Sequence, residues 1–134
     1  IRPTYVDLEP DKIKEFLKKY NKATIQLRIT INNKKLSTRL KNINLIIREE
    51  LIKKDIALEI NTGSYRCGML EPNPNKVIIK RYKELGGRLL TIGADAHIPQ
   101  HVGLHFEEIP GILNECGFDS YYVFKNRKPI EIKI

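Results

Sequence analysis

From residue 40 onward the chain switches repeatedly between two hydrophobic periods, and that alternation restricts the fold more than any other feature. "LKNINLIIREELIKKD", 40–55, places Ile43, Ile46, Ile47, Glu50 and Leu51 at helical spacing. "IALEIN", 56–61, is a short, mostly apolar run of the kind that forms a strand covered on both faces. "PNKVIIKRYKELGG", 74–87, is again helical and stops at Gly86, where a left-handed cap is expected. "RLLTIG", 88–93, reads as a second buried strand, and a helix over roughly 106–116 ends at Gly117. "DSYYVFK" and "KPIEIKI" finish the chain as two short strands around Asn126–Pro129. This order predicts α/β units on mostly parallel strands, in a sheet or part of a barrel.

Upstream, "EPDKIKEFLKKY", 9–20, sets Ile13, Phe16, Leu17 and Tyr20 at helical spacing, with Pro10 suited to a first turn. "ATIQLRITI", 23–31, alternates apolar and polar residues as a half-buried strand does, and "INNKK" follows as a turn. A length of 134 residues fits a single domain spanning 1–134. The net charge of +8 lies wholly in residues 1–54, which carry fourteen Lys/Arg against six Asp/Glu; residues 55–134 carry ten of each. A basic surface attracts phosphate-bearing or acidic partners, but no aromatics interleave with the lysines, so a solvated helix face explains them as well and nucleic acid is not expected. Cys67 and Cys116 lack zinc-ribbon spacing and read as reduced thiols of a cytosolic protein. No apolar run reaches the ~18 residues of a membrane span.

Parallel α/β folds bind ligands beyond the carboxyl ends of their strands. Two such ends carry concentrated polar chemistry. In "LEINTGSYR", Asn61, Thr62 and Ser64 follow the first strand around a flexible Gly63, and Arg66 lies just beyond. Amides, hydroxyls and a guanidinium fork suit a phosphate; an ordinary polar loop has the same composition. In "GADAH", Asp95 and His97 project to one side if the strand stays extended, and both are ligands for first-row metals. Gly93, Ala94 and Ala96 leave room for close approach. A helix-capping Asp95 beside a surface His97 is the alternative. His97, His101 and His105 are the only histidines, spaced i, i+4, i+8. Pro99 and Gly103 argue against a straight helix through them, and a zinc site needs converging ligands rather than a row roughly 12 Å long. His101 and His105 are therefore expected at the surface.

Together the segments "ALEINTGSYR", "YKELGGRLLTIGADAH" and "GFDSYYVFKNRKP" resemble the carboxyl-terminal part of histidinol-phosphatases of the polymerase-and-histidinol-phosphatase (PHP) type. Those proteins show an "EINTSG.R" stretch, then "YKELGG..ITIGSDAH", then a "GF..Y..FK.RKP" ending. The resemblance covers 40–134, whereas the basic segment 1–39 matches poorly. It implies the carboxyl-terminal half of a distorted (β/α)7 barrel and hydrolysis of a phosphate monoester, histidinol phosphate, in histidine biosynthesis. It implies a cluster of divalent zinc, iron or manganese ions, with Asp95 and His97 as metal ligands and catalytic residues. Arg66 takes the place of a phosphate contact, with Asn61 and Ser64 beside it on the substrate side. Glu59 and Asn61 also fit supporting roles in that scheme.

The chain departs from the pattern in three ways. Ala94 stands where the family has serine, "EINTSG" is reordered to "EINTGS", and residues 1–96 contain no histidine, so the family's amino-terminal HxH pair is absent. With Met69 the single methionine and Ile1 at the start, half of a barrel, or a form that has lost its catalytic half, is expected. Weak metal binding is expected in either case. A halved barrel leaves strand edges open, which favours pairing with a second copy or with a missing amino-terminal half. A noncatalytic interaction module, binding an acidic partner through its basic amino-terminal part, is the other reading.

Overall fold

The computed structural model describes residues 36–134 continuously, together with Asp11, Lys14, Glu15, Thr24 and Ile25. The rest of the helix expected at 9–20, of the strand at 23–31 and of the turn after it lies outside the described residues.

The first long helix, α1 (Leu36–Leu45), passes without a break into a π-helical segment, Ile46–Ile52. The sequence pattern marked this helix at 40–55; it begins earlier, and its second half is the wider coil. Ile43, Ile46, Ile47 and Leu51 are buried on its inner side, as the apolar spacing requires. Glu50 is also fully buried and is held from outside by Lys54, whose Nζ lies 2.5 Å from Oε2, and by Lys14, 3.9 Å from Oε1. Asp55 adopts a left-handed conformation (φ 53°), and the Ile56 N–H donates to Leu51 O at 2.9 Å, which turns the chain toward the sheet.

Strand β1 (Thr24–Ile25), β2 (Ala57–Asn61) and β3 (Leu90–Gly93) form a parallel sheet in that order. The β2 and β3 register pairs Leu58 with Leu90 and Asn61 with Gly93, so their carboxyl ends are level. Between them run a helical turn, α2 (Gly63–Arg66), and the amphipathic α3 (Lys76–Glu84). The Asn75 side chain caps α3 by accepting from the Ile78 N–H at 3.2 Å. Short 3₁₀ turns, Pro99–His101 and Phe106–Glu108, lead into α4 (Ile109–Glu115). Leu58, Ile60 and Leu90 of the sheet bury against Ile79 of α3 and Leu113 of α4, and each is fully enclosed. Burial of each such side chain contributes ~1.5–3 kcal/mol.

The closing strands, β4 (Ser120–Lys125) and β5 (Lys128–Lys133), pair antiparallel. Their turn is tighter than the sequence suggested. Only Asn126 (φ 51°) and Arg127 (φ 64°) lie between the strands, both left-handed as a two-residue hairpin requires. Pro129 belongs to β5, opposite Phe124. Lys, Glu and Pro on this exposed strand blunt it against further pairing. Mixed α/β architecture with parallel strands is thus the fold of the described residues. None of their helices is long and apolar enough to cross a membrane.

Gly86 ends α3 in the left-handed region (φ 96°), as its place in the sequence predicted. The next glycine has a different task. A Cβ on Gly87 would lie 2.4 Å from the buried Tyr82 ring, so Gly87→Ala is expected to destabilise the fold by ~1–3 kcal/mol, read by urea unfolding. Tyr82 is itself a pH probe. Its hydroxyl donates to Leu89 O at 3.0 Å, and burial pushes its pKa from 10.0 up to about 12. Unfolding returns the phenol to its ordinary value, so the stabilisation from the neutral buried form is complete below pH ~10 and is lost as the pH rises toward ~12. The expected loss is about 2–3 kcal/mol, and Tyr82→Phe should flatten the stability profile over that interval.

Candidate functional site

The level ends of β2 and β3 bring the two polar stretches against each other. Pairing does not stop where the strands do: the Thr62 N–H donates to Gly93 O at 2.8 Å, one step beyond the last paired residues. The α2 turn then starts at once. Asn61 makes this possible, because its Oδ1 accepts the Gly63 N–H at 2.8 Å and takes up a donor the short helix would leave unpaired. Its Nδ2 donates to Glu59 Oε2 at 3.4 Å. Asn61 is buried, and its polar atoms serve the turn itself.

Arg66, at the end of α2, reaches across to the loop after β3. Its Nη1 donates to Ala94 O at 2.5 Å and its Nη2 to Asp95 O at 2.9 Å. The guanidinium therefore grips two successive main-chain carbonyls. Asp95 sits in the left-handed region, φ 53°, so the strand does not continue extended through "GADAH". The premise that Asp95 and His97 point the same way by strand alternation is corrected here: a turn, not a strand, relates them. What joins them is a hydrogen bond between His97 Nδ1 and the Asp95 carbonyl oxygen, 2.7 Å. A carbonyl only accepts, so Nδ1 carries a proton, which in the neutral ring leaves Nε2 as the lone-pair site. The left-handed residue costs ~1–2 kcal/mol; two hydrogen bonds from a charged donor contribute ~1.5–3 kcal/mol each. The Arg66 grip is large enough to hold the turn.

Gly63 matters for its size rather than for flexibility. A Cβ there would lie 2.8 Å from Asn61 Oδ1, 3.3 Å from Arg66 Nη2 and 3.3 Å from Asp95 Cβ. Gly93 is comparably enclosed, with Glu59 Oε1 at 2.8 Å from the Cβ position. Glu59, Asn61, Arg66 and Asp95 thus crowd around two glycines. Ser64 faces inward: it is buried, and its hydroxyl donates to Glu71 O at 2.6 Å.

By sequence, Thr62 groups with the phosphate-suited hydroxyls or with an ordinary polar loop. It is fully buried and, instead of capping α2, donates from Oγ1 to Leu104 O at 2.8 Å, tying down the 98–108 loop. Nothing local marks it, since its partner is 42 positions away. On that loop the histidines do not form a stripe. His101 ends a 3₁₀ turn, and His105 is left-handed (φ 66°) with its ring 5.0 Å from that of Tyr65. Both are half-buried rather than fully exposed. Tyr65 has its pKa raised by burial and then by the charges of Glu108 and Glu71.

The donor types fit a first-row metal: a half-buried carboxylate at Asp95 and an exposed imidazole at His97 with Nε2 available. Their number does not close a site, because no group of three or more His, Cys, Asp or Glu is placed to hold an ion among the described residues.

The chain is 41% identical over 85 residues to a Thermotoga maritima protein named "Probable histidinol-phosphatase", covering 63% of this chain and 35% of that one. It is 34% identical over 79 residues to a Clostridium acetobutylicum protein of the same name, 56% of this chain and 29% of the relative. A Lactococcus lactis protein named "Histidinol-phosphatase" shares 31% identity over 91 residues, 63% of this chain and 34% of the relative. The chain spans about a third of the length of the curated relatives it matches. No family model matches it.

The crowding at Gly63 gives a direct check. Gly63→Ala should force Asn61, Arg66 or Asp95 aside and cost ~1–3 kcal/mol, with amide shift changes concentrated at 61–66 and 93–97 in a heteronuclear correlation spectrum. Changes confined to residue 63 and its neighbours in sequence would show that the two strand ends are not packed together as described.

Proposed function

We propose that this chain is the portion of a histidinol-phosphatase-type phosphoesterase that carries the Asp95 and His97 corner of a divalent-metal centre. Its substrate in this reading is a phosphate monoester, histidinol phosphate. The observation that supports it is the meeting of Arg66, Asp95 and His97 beyond the level ends of two parallel strands. Ligands collect at that edge in parallel α/β folds, and relatives named for this activity match the chain. The parallel strands and intervening helices are read, on the same basis, as part of a (β/α)7 barrel.

In this scheme Asp95 offers carboxylate oxygens and His97 offers Nε2 to zinc, iron or manganese. A metal bound there would polarise phosphoryl oxygens and bring the pKa of its water toward neutrality. The chain's own contribution is geometric. The Asp95 carbonyl fixes the proton on His97 Nδ1, and the packing around Gly63 and Gly93 holds both donors at a set spacing from the sheet. Asn61 and Ser64, turned toward Gly63 and Glu71, act in this reading as supports of the substrate side. The remaining metal ligands are assigned to polypeptide beyond these 134 residues.

Uncatalysed phosphate-monoester hydrolysis is slow enough that enzymes achieve accelerations of up to ~10²¹. Two ligands do not assemble a multinuclear cluster, so the 134-residue chain should bind zinc or manganese weakly by calorimetry and release no phosphate from histidinol phosphate above background. Supplying a polypeptide with the HxH pair, in cis or in trans, should restore turnover, and Asp95→Ala should abolish it. Robust metal-dependent turnover by the chain alone, lost in Asp95→Ala, would mean that a different ligand set operates.

A further inference from the structure

The guanidinium of Arg66 is placed where a phosphate contact is expected, yet two of its N–H groups are spent on main-chain carbonyls. Those carbonyls are not arbitrary. They belong to Ala94 and Asp95, the two residues that carry the chain out of β3 and into the candidate site. Asp95 is the one non-glycine residue of that loop before His105 in the left-handed region, and its carbonyl oxygen is shared between Arg66 Nη2 at 2.9 Å and His97 Nδ1 at 2.7 Å. Gly63 lets the arm of Arg66 cross, since a Cβ there would press on Nη2 at 3.3 Å and on Asp95 Cβ at 3.3 Å. Arg66, the Asp95 carbonyl and the His97 ring are thus linked in series.

We infer that Arg66 is the positioning residue of this site: it holds Asp95 in its left-handed turn and, through the shared carbonyl, fixes His97 as the Nδ1–H tautomer with Nε2 turned outward. The inference rests on the reading of Asp95 and His97 as the reactive corner, but its geometry stands apart from any activity. A carbonyl that accepts from a guanidinium is held in place, and a held carbonyl fixes the ring that donates to it. Partners at this remove set ring orientation and tautomer in imidazole ligands. Lysine cannot substitute, because one ammonium is a point donor and does not match two successive carbonyls as a planar fork does.

The test uses the full chain, labelled with ¹⁵N and ¹³C, in mildly alkaline solution. Long-range ¹H–¹⁵N spectra report the His97 tautomer, and Asp95 backbone shifts report its left-handed conformation. In the wild type a single Nδ1–H form and left-handed Asp95 shifts are expected. Arg66→Ala should lose both, giving mixed tautomers and an Asp95 shifted toward extended values. Arg66→Lys should restore neither fully, and it decides the matter if Arg66→Ala does not fold. A folded Arg66→Ala or Arg66→Lys chain with Asp95 and His97 unchanged would overturn the inference. So would a wild-type chain in which inorganic phosphate displaces Arg66 from both carbonyls without disturbing the Asp95 turn. Manganese broadening at Asp95 and His97 in the wild type reads the metal assignment separately, so failure of the phosphoesterase reading is distinguished from failure of this one.

Discussion

The parallel pairing of β2 with β3 is the contact on which the rest of the described structure depends, because it makes two distant polar stretches neighbours. Leu58 pairs with Leu90 and Asn61 with Gly93, and the Thr62 N–H carries the ladder one residue further onto Gly93 O. A shift of one residue in this register would take the two carboxyl ends out of level. It would also move Arg66 away from the carbonyls of Ala94 and Asp95. The β2–β3 register therefore sets the position of the site as well as the packing of the core.

That core is assembled from helices on the sheet, and its polar exceptions are handled individually. Glu50 is enclosed beneath the π-helical segment but meets Lys54 and Lys14 at the boundary, so its charge is not left uncompensated. Tyr82 donates a hydrogen bond from its hydroxyl to Leu89 O just before β3 and lies flush against Gly87, which fixes how α3 enters the strand. Lys83 lies over the Phe118 ring, with its Nζ 4.9 Å from the centroid. Such anchoring lets the loops at the carboxyl edge hold unfavourable conformations. Left-handed Asp95 and His105 persist because Arg66 grips one and the Tyr65 ring backs the other.

Much of this was written in local pattern. Periodicity marked the β2 and β3 strands, α3 and α4 to within a few residues, because an apolar face has to be repeated along an element to be buried at all. Gly86 and Gly117 announced helix ends, and both are left-handed. The sequence also concentrated amides, hydroxyls, a guanidinium, a carboxylate and an imidazole behind two strand runs. Local pattern did not disclose the π-helical widening at Ile46–Ile52, nor the helical turn at Gly63–Arg66 inside what read as a loop. A four-residue turn has no period to detect, and it forms because the Asn61 side chain and the β3 edge complete its hydrogen bonds.

What the sequence determined by itself was therefore the element order and the chemical inventory of the site, since both depend on residue types and their spacing. The tertiary structure alone decided how that inventory is used. Asn61 and Ser64 turn to the backbone rather than outward, and Thr62 ties down a loop 42 residues away. Arg66 grips carbonyls, and Asp95 leaves the extended conformation that strand alternation assumed. Each of these depends on which polar groups meet once β2 and β3 are side by side. A buried donor or acceptor must find a partner, and that partner is chosen by proximity in space, which residue spacing along the chain does not encode.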